Sequence, residues 1–562
     1  MTGGVDQSLS GVTAHMRAEM GAVGPKSLLK NKKVFFIALF ASFGGLLYGY
    51  QQGVLGQVVV MNSFEREFPD VRSNASKLGW LTSILQLGGW IGSLSSGVFA
   101  EVFSRKHTMF AGALWVVLGS FLAAGAQNTG YLYAGRLFTG LGVGTLSAIG
   151  PLYNAELSPP EFRGFLIALQ QLSTTIGIMI AYWISFGSNY IGGTSDGQSD
   201  MAWRLPMIIQ GVPAVILCIG LIFMPFSPRL LVNKGKDKEA LKTLAYLRNL
   251  PEDNYLIQVE FLEIKADAEF EKEIFERRFP NLSASAGDSV WRREFAQYSN
   301  IFRSKDSFKR VAIASLVMFF QQWTGIDSII YYATIIFQSL GLTSTTTSLL
   351  ATGVIGIINV ATTIPAICYI DKVGRKPLMM AGSAGMAICE LIIGIIVAKC
   401  SHDWTQNAVA GWVAVVFVWL YIINFAYSWG PGSWILIAEI FPISIRAKGT
   451  SIGASANWMN NFIIAFVVPP MLANITWGTY IWFAVWSALG GLFIFFCVPE
   501  TKGKTLEEMD QVFGSHTSAD DMAAFAEVQE RVGLTALVQG RVEEDSEVEA
   551  KKEGEVDVQH IA

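Results

Sequence analysis

Charge is scarce in this chain of 562 residues: Asp, Glu, Lys and Arg make up 15%, against about 25% in soluble globular proteins. The scarcity is also uneven. Val34–Val60, Leu78–Ala100, Thr108–Gly135, Phe165–Ser195 and Leu205–Ser227 contain no charge at all. Cysteine is sparse too. The five cysteines sit in or beside apolar blocks without a CxxC, which excludes a zinc-type spacing and reads as small hydrophobes. No basic patch with interleaved aromatics occurs, so nucleic acid is excluded as a partner. No nucleophile–base pair, metal cluster or phosphate-cradling loop has chemical spacing, so an enzyme is not expected, and neither is a cofactor or metal.

What is present is apolar sequence, 51% of the chain. A block of about 20 apolar residues spans a bilayer as a helix. Further blocks follow at Val311–Gln338, Leu349–Ile370, Pro377–Ala398, Ala408–Ala438, Thr450–Thr476 and Trp477–Pro499, and the block from Thr108 continues past Arg136 to Tyr153, enough for two spans. The first block exceeds the signal-peptide core of about 7–15 residues, so it reads as a retained span. The count is about twelve. The expected class is an all-α membrane protein of twelve transmembrane helices in two six-helix halves joined by a cytoplasmic helical linker. The boundaries are an N-terminal tail at 1–33, halves at 34–227 and 309–499, a linker with short helices at 228–308, and a C-terminal tail at 500–562, disordered from about 515.

Lys and Arg mark cytoplasmic loops. They follow spans two (Arg105, Lys106), four (Arg163), eight (Lys372, Arg375, Lys376), ten (Arg446, Lys448) and twelve (Lys502, Lys504), while the loops after spans three, seven and eleven have none. Both termini are therefore expected in the cytoplasm. Asn74-Ala75-Ser76 then lies outside as a glycosylation candidate, whereas Asn281 lies inside and Asn474 sits close to the membrane.

One charged phrase occurs twice. AELSPPEFRG starts at Ala155 and AEIFPISIRAKG at Ala438; Ser104-Arg105-Lys106 is likewise echoed by Gly374-Arg375-Lys376. Two related halves of six spans are the signature of a duplicated transporter. Glu156 and Glu439 end spans, and Arg163 and Arg446 begin the next. Pairs of this kind, worth about 0–1 kcal/mol when solvated, can bias an inner gate without locking it. Single span-end charges are ordinarily snorkelled; the repeated spacing argues for the gate.

Over about Val34–Gly514 the chain resembles the sugar porter family of the major facilitator superfamily, particularly fungal monosaccharide transporters. The motifs are Gly135-Arg136 with Gly140, Gly142 and Gly144; Pro151-Leu152-Tyr153 with Glu156, Arg163 and Gly164; Gln321-Gln322 with Gly325; Asp371 with Gly374-Arg375-Lys376; Glu439-Ile440-Phe441-Pro442 with Arg446, Lys448 and Gly449; and Pro499-Glu500-Thr501-Lys502-Gly503. The resemblance implies the major facilitator fold. It also implies carriage of a monosaccharide, a hexose such as glucose or a pentose such as xylose, across the plasma membrane by alternating access, with a monomer as the functional unit. Glu101 and Arg105, Asp371 and Arg375 join the repeated Glu and Arg residues in the inner gate.

A reversible sugar site needs neutral groups that both donate and accept, and rings to cover C–H faces. Amides within apolar spans need a reason to be there, although they also glue spans together. Candidates are Gln170 and Gln171 in span five; Gln321, Gln322, Asp327, Tyr331 and Tyr332 in span seven; Asn359 in span eight; Trp434 after Gly430-Pro431-Gly432 in span ten; and Asn457, Trp458 and Asn461 in span eleven. The resemblance favours Gln171, Gln321, Gln322, Asn359, Trp434 and Asn457. Gln321 and Tyr332 are separated by about three helical turns, so one helix face could carry both.

The chain also departs from the family. Gly49-Tyr50-Gln51-Gln52-Gly53 has Gln51 where proton-coupled members have Asp. A Gln51–Arg136 pair cannot carry a proton, which favours facilitated diffusion. Asp327 stands where Asn is usual, and a charge at that depth costs roughly 2.5–3.5 kcal/mol. It is either a relocated proton carrier, allowing symport, or a strong acceptor for a sugar hydroxyl; it argues against an acidic sugar. Val102 and Phe226 replace an Arg and a Glu, losing inner charge contacts, Ala426 replaces a Glu of animal facilitators, and Glu390 has no assigned role. The rival readings are a transporter-like sugar sensor, disfavoured by a tail of only roughly 50 residues beyond the last motif, and a carrier of a sugar acid or polyol.

Overall fold

The computed structural model describes residues 39–40, 42–157, 163–195, 197–278, 298–299, 301–302, 305–342, 344–442, 445–502, 513 and 517–540. Helix is the only regular structure among them. In hydrocarbon each backbone N–H and C=O must find its partner within the protein, and a helix does this within one segment.

The first half contains α1 (Phe43–Val58), the short α2 (Asn62–Glu67) and α3 (Pro69–Ser73), α4 (Ala75–Val102), α5 (Arg105–Ala124), α6 (Thr129–Leu157), α7 (Arg163–Ser188), and a broken pair, α8 (Met201–Ile209) and α9 (Val212–Phe223). The linker folds as α10 (Pro228–Asn233), α11 (Asp237–Arg248) and α12 (Tyr255–Arg278). The second half contains α13 (Lys305–Trp323), α14 (Ile326–Ser339), α15 (Thr345–Val373), α16 (Arg375–Cys400), α17 (Ala408–Tyr427), α18 (Trp429–Glu439), α19 (Arg446–Asn474) and α20 (Trp477–Cys497). Taking α8–α9, α13–α14 and α17–α18 as broken spans, the described helices give six crossings per half. Six of these segments are long and apolar enough to cross a membrane by length and composition alone. The others carry the glycines, hydroxyls and amides that serve packing and the site.

Within the first half α6 packs on α4 and α5, and α7 on α1; between halves α4 meets α19, α7 meets α15, and α1 meets α14. Following the charge asymmetry, the end bearing Arg105 and Arg375 is called inner. Close cross-half approaches of backbone lie toward the outer end. A Cβ on Gly56 of α1 would fall 1.9 Å from the carbonyl oxygen of Tyr331 in α14, and one on Gly79 of α4 would fall 2.5 Å from that of Phe466 in α19. Arg72 Nη2 adds a bond to Gln338 Oε1 at 2.9 Å. The outer end is closed.

The tail departs from expectation. Rather than being disordered from about 515, it forms α21 (Thr517–Arg531), followed by helical residues to 540. Ala524 and Val528 pack on Ala266 and Phe270 of α12, and Leu534 and Val538 pack on Val259. Polar composition hid an apolar stripe that is buried only because α12 offers a matching one. Arg531 and Arg277 both bond Glu273, at 3.0 and 2.5 Å. Slight burial pushes that carboxyl up, but the two guanidiniums outweigh it and hold it below the usual range.

Candidate substrate site

Span seven is interrupted just past its amides. Gly325 adopts φ +92°, a left-handed conformation that ends α13 and starts α14. A side chain there would be strained, and its Cβ would lie 2.8 Å from the Phe483 ring and 3.0 Å from Glu390 Oε1. The interruption frees the carbonyl of Thr324, which accepts from Tyr421 Oη at 2.8 Å. Glu390 is buried behind it and accepts from Ser487 Oγ at 3.0 Å, so this acid supports the break. Gln321 and Tyr332 therefore occupy different helices and do not share one helix face. Span ten breaks at Ser428, with φ −119° and ψ −86°, just before Gly430-Pro431-Gly432. Pro431 then sits in the first turn of α18, where no intrahelical donor is required.

Two amide clusters form around these breaks. In the first, Gln321 Oε1 accepts from Asn457 Nδ2 at 2.6 Å, while Gln321 Nε2 donates to the carbonyl of Trp429 at 2.9 Å. The pair joins α13, α18 and α19, all in the second half. Gln322 is buried beside it with its Oε1 unpaired.

The second cluster bridges the halves through one phenolic oxygen. Tyr331 Oη accepts from Gln86 Nε2 at 2.6 Å and Gln52 Nε2 at 3.2 Å, and donates to Asn461 Oδ1 at 2.9 Å. A phenol has one proton and two acceptor sites, so its capacity is filled. Gln52 also donates to Tyr48 Oη at 3.0 Å, and Asn461 Nδ2 donates to Asp327 Oδ2 at 2.5 Å. Tyr182 Oη donates to the Ile330 carbonyl at 2.8 Å, and Tyr332 Oη to the Ala465 carbonyl at 2.5 Å. These bonds hold α14 across α1, α4, α7 and α19.

Gln170 and Gln171 on α7 and Trp434 on α18 are half-buried, and Asn359 on α15 is buried. Gln170 Oε1 has no partner. The hydroxyl of Tyr332 is committed to backbone, so that oxygen is not open to a sugar; its neighbour Tyr331 holds the central position. Gln52, Gln86 and Tyr48 were not among the sequence candidates. The rule that singled out the other amides applies equally to Gln52 and Gln86 in charge-free spans. Trp458 packs against Tyr48, with ring centroids 5.2 Å apart. Arg136 is buried on α6, and its Nη1 reaches the carbonyl and Oε1 of Gln51, both at 3.4 Å; Nε and Nη2 have no partner.

At the inner end the repeated phrase makes matching ion pairs within each half. Arg105 Nε meets Glu156 Oε1 at 3.1 Å, and Arg375 Nη2 meets Glu439 Oε1 at 2.8 Å. The partner of each Glu is thus the Arg that starts the third span of its half. Arg446 Nε instead donates to the Phe441 carbonyl at 3.3 Å. The side chains of Arg163 and Asp371 lie outside the described residues, as does Asn281. Glu101 lies exposed near the end of α4. Glu500 accepts from the backbone N–H groups of Arg375 and Lys376 at 3.1 and 3.0 Å, capping α16. In the first half Phe226 replaces such a cap with a ring lying 5.1 Å from Lys106 Nζ. Asn74 is exposed at the start of α4, where its Oδ1 accepts from the N–H groups of Ser76 and Lys77.

Comparison with known proteins bears on what such a site handles. The family model described as sugar (and other) transporter matches residues 37–513. A probable quinate permease of Aspergillus fumigatus is 33% identical over 86% of this chain and 88% of its own length. A sugar transport protein of Oryza sativa subsp. japonica is 33% identical over 86% and 91%. The xylose transporter XylE from E. coli, in a partially occluded inward open conformation, superimposes with a TM-score of 0.68 at 27% identity, covering 84% of this chain and 99% of that one.

Proposed function

Since the chain belongs to the sugar porter family of the major facilitator superfamily, we propose that it carries a monosaccharide, a hexose such as glucose or a pentose such as xylose, across the plasma membrane by alternating access. The observation that carries this reading is the Gln321–Asn457 pair, bonded at 2.6 Å beside the breaks in spans seven and ten. Each amide can exchange its partner's bond for a sugar hydroxyl at little net cost. Gln322, Gln171, Asn359 and Trp434 complete the binding set. Ring hydroxyls bridging the two halves then replace contacts as the halves rock, with substrate at mid-membrane. Arg105–Glu156 and Arg375–Glu439 steady the inner ends of each half. Both termini face the cytoplasm, Asn74 faces outward, and one chain is the transporting unit.

The test is growth of a hexose-transporter-null yeast expressing the protein on a panel of sugars, followed by radiolabelled uptake with competitors and with a protonophore. Uptake of at least one monosaccharide, lost in Gln321→Ala at equal surface expression, supports the reading. No uptake despite surface expression refutes it and favours a sensor.

A second reading is a carrier of an acidic cyclic polyol. The relatives named quinate permease favour it, as does a buried Arg136 with two unpaired nitrogens. Asp327 opposes it, because its carboxylate, ionised when the site is open to water, would repel an acid. Competition of labelled sugar uptake by quinate separates the two.

A further inference from the structure

Asp327 is a carboxyl in the first turn of α14 that is 3% exposed. Resting on the transport reading, we propose that Asp327 carries the proton of the transport cycle, and that the outer gate closes over its neutral form.

Amides and hydroxyls surround this carboxyl. Asn461 donates to it, and Gln322 stands against it as a second neutral amide. The titratable groups facing it are the phenols Tyr48 from α1, Tyr182 from α7, Tyr421 from α17 and Tyr331 on its own helix, and the buried acid Glu390 of α16 stands behind Gly325 and shares Tyr421 with it. From α4 the network presents Gln86, and where α15 meets α14 the hydroxyls of Thr352 and Thr334 bond each other. Among the described residues no Lys, Arg or His is among these neighbours. The buried cation Arg136 faces Tyr331 and Tyr332 and bonds Gln51, an amide that cannot titrate. Amide dipoles and the helix N-terminus offset only part of the cost of a buried anion.

The bond pattern tolerates a neutral acid. The donors run from Gln86 to Tyr331 to Asn461 to Asp327 Oδ2. A proton on Oδ1 leaves Oδ2 an acceptor, so the whole bridge between halves survives. When α14 swings away from α1 and α4, these bonds break and water reaches the carboxyl, which ionises. Closure then takes one proton from outer water onto Oδ1, and inner opening returns it to inner water. No other bond is made or broken, and the chemistry is proton transfer alone.

The experiment compares wild type with Asp327→Asn, which keeps the shape and the acceptor for Asn461. In null yeast, wild-type uptake is expected to fall by about tenfold per pH unit on its alkaline limb and to drop with a protonophore. Asp327→Asn should show a flat pH profile when its uptake is read relative to its own maximal rate. A wild-type slope that persists in Asp327→Asn, or that vanishes in Glu390→Gln instead, overturns the proposal, as does a wild type indifferent to pH. Thermal unfolding of both purified full-length proteins gives a readout that needs no sugar. Wild type should lose stability relative to Asp327→Asn as pH rises, whereas parallel curves overturn the assignment. Absent uptake with diverging melting curves would refute the substrate reading and leave the titrating role standing.

Discussion

Changing Tyr331 to Phe removes one oxygen from the centre of the outer closure. Gln52 keeps its bond to Tyr48, but Gln86 Nε2 and Asn461 Oδ1 lose their partner. Gln86 Oε1 is already unpaired, so the whole Gln86 amide becomes an orphan. A buried polar group left unsatisfied costs about 1–3 kcal/mol. Two such groups destabilise the closed arrangement by about 2 kcal/mol at the low end, roughly thirtyfold in population. The open arrangement is spared, because water hydrates both amides there. The halves should therefore separate at their outer ends. Pulsed spin-label distances between cysteines placed at the exposed Ser73 and His402, in a background without native cysteines, measure this. A long-distance population should grow in Tyr331→Phe. Identical distance distributions, with wild-type exchange rates, would show that the bridge does not hold the gate.

Gly56→Ala should act in the same direction, since its new Cβ would fall 1.9 Å from the Tyr331 carbonyl oxygen; sugar exchange should be lost while surface expression persists. Asn457→Ala removes a bond to Gln321 and, on the proposed transport role, an acceptor for substrate, and uptake kinetics should show KM raised about tenfold. Glu156→Gln strips the counter-charge from Arg105, whose side chain is 10% exposed. Breaking buried pairs costs about 3–5 kcal/mol, so Tm should fall clearly below wild type. Val528→Asp places a charge in the contact between α21 and α12 and should expose the tail to proteolysis. In wild type the Glu273 contribution to this docking is present above the ordinary glutamate range and weakens as pH falls through its depressed value, which proteolysis at lowered pH would reveal.

The sequence by itself determined the span pattern, the duplication and the class of side chain at the candidate site. Each follows from local physics: a charge-free run can only be buried, and an amide within such a run needs a partner. Gln321 and Asn457 are legible in this way, as is the conflict posed by Asp327. Tertiary structure alone decided which partners they take. The chain does not announce that Gly325 enters a left-handed conformation and separates Gln321 from Tyr332, because that depends on Tyr421 and Phe483 arriving from other spans. Nor does it announce that the Tyr331 hydroxyl collects amides from both halves while that of Tyr332 donates to the Ala465 carbonyl, since adjacent tyrosines differ only in the direction a folded helix points them. The docked tail makes the same point: a sparse apolar stripe becomes a helix only where α12 covers it, because burial, and not composition, supplies the stabilisation.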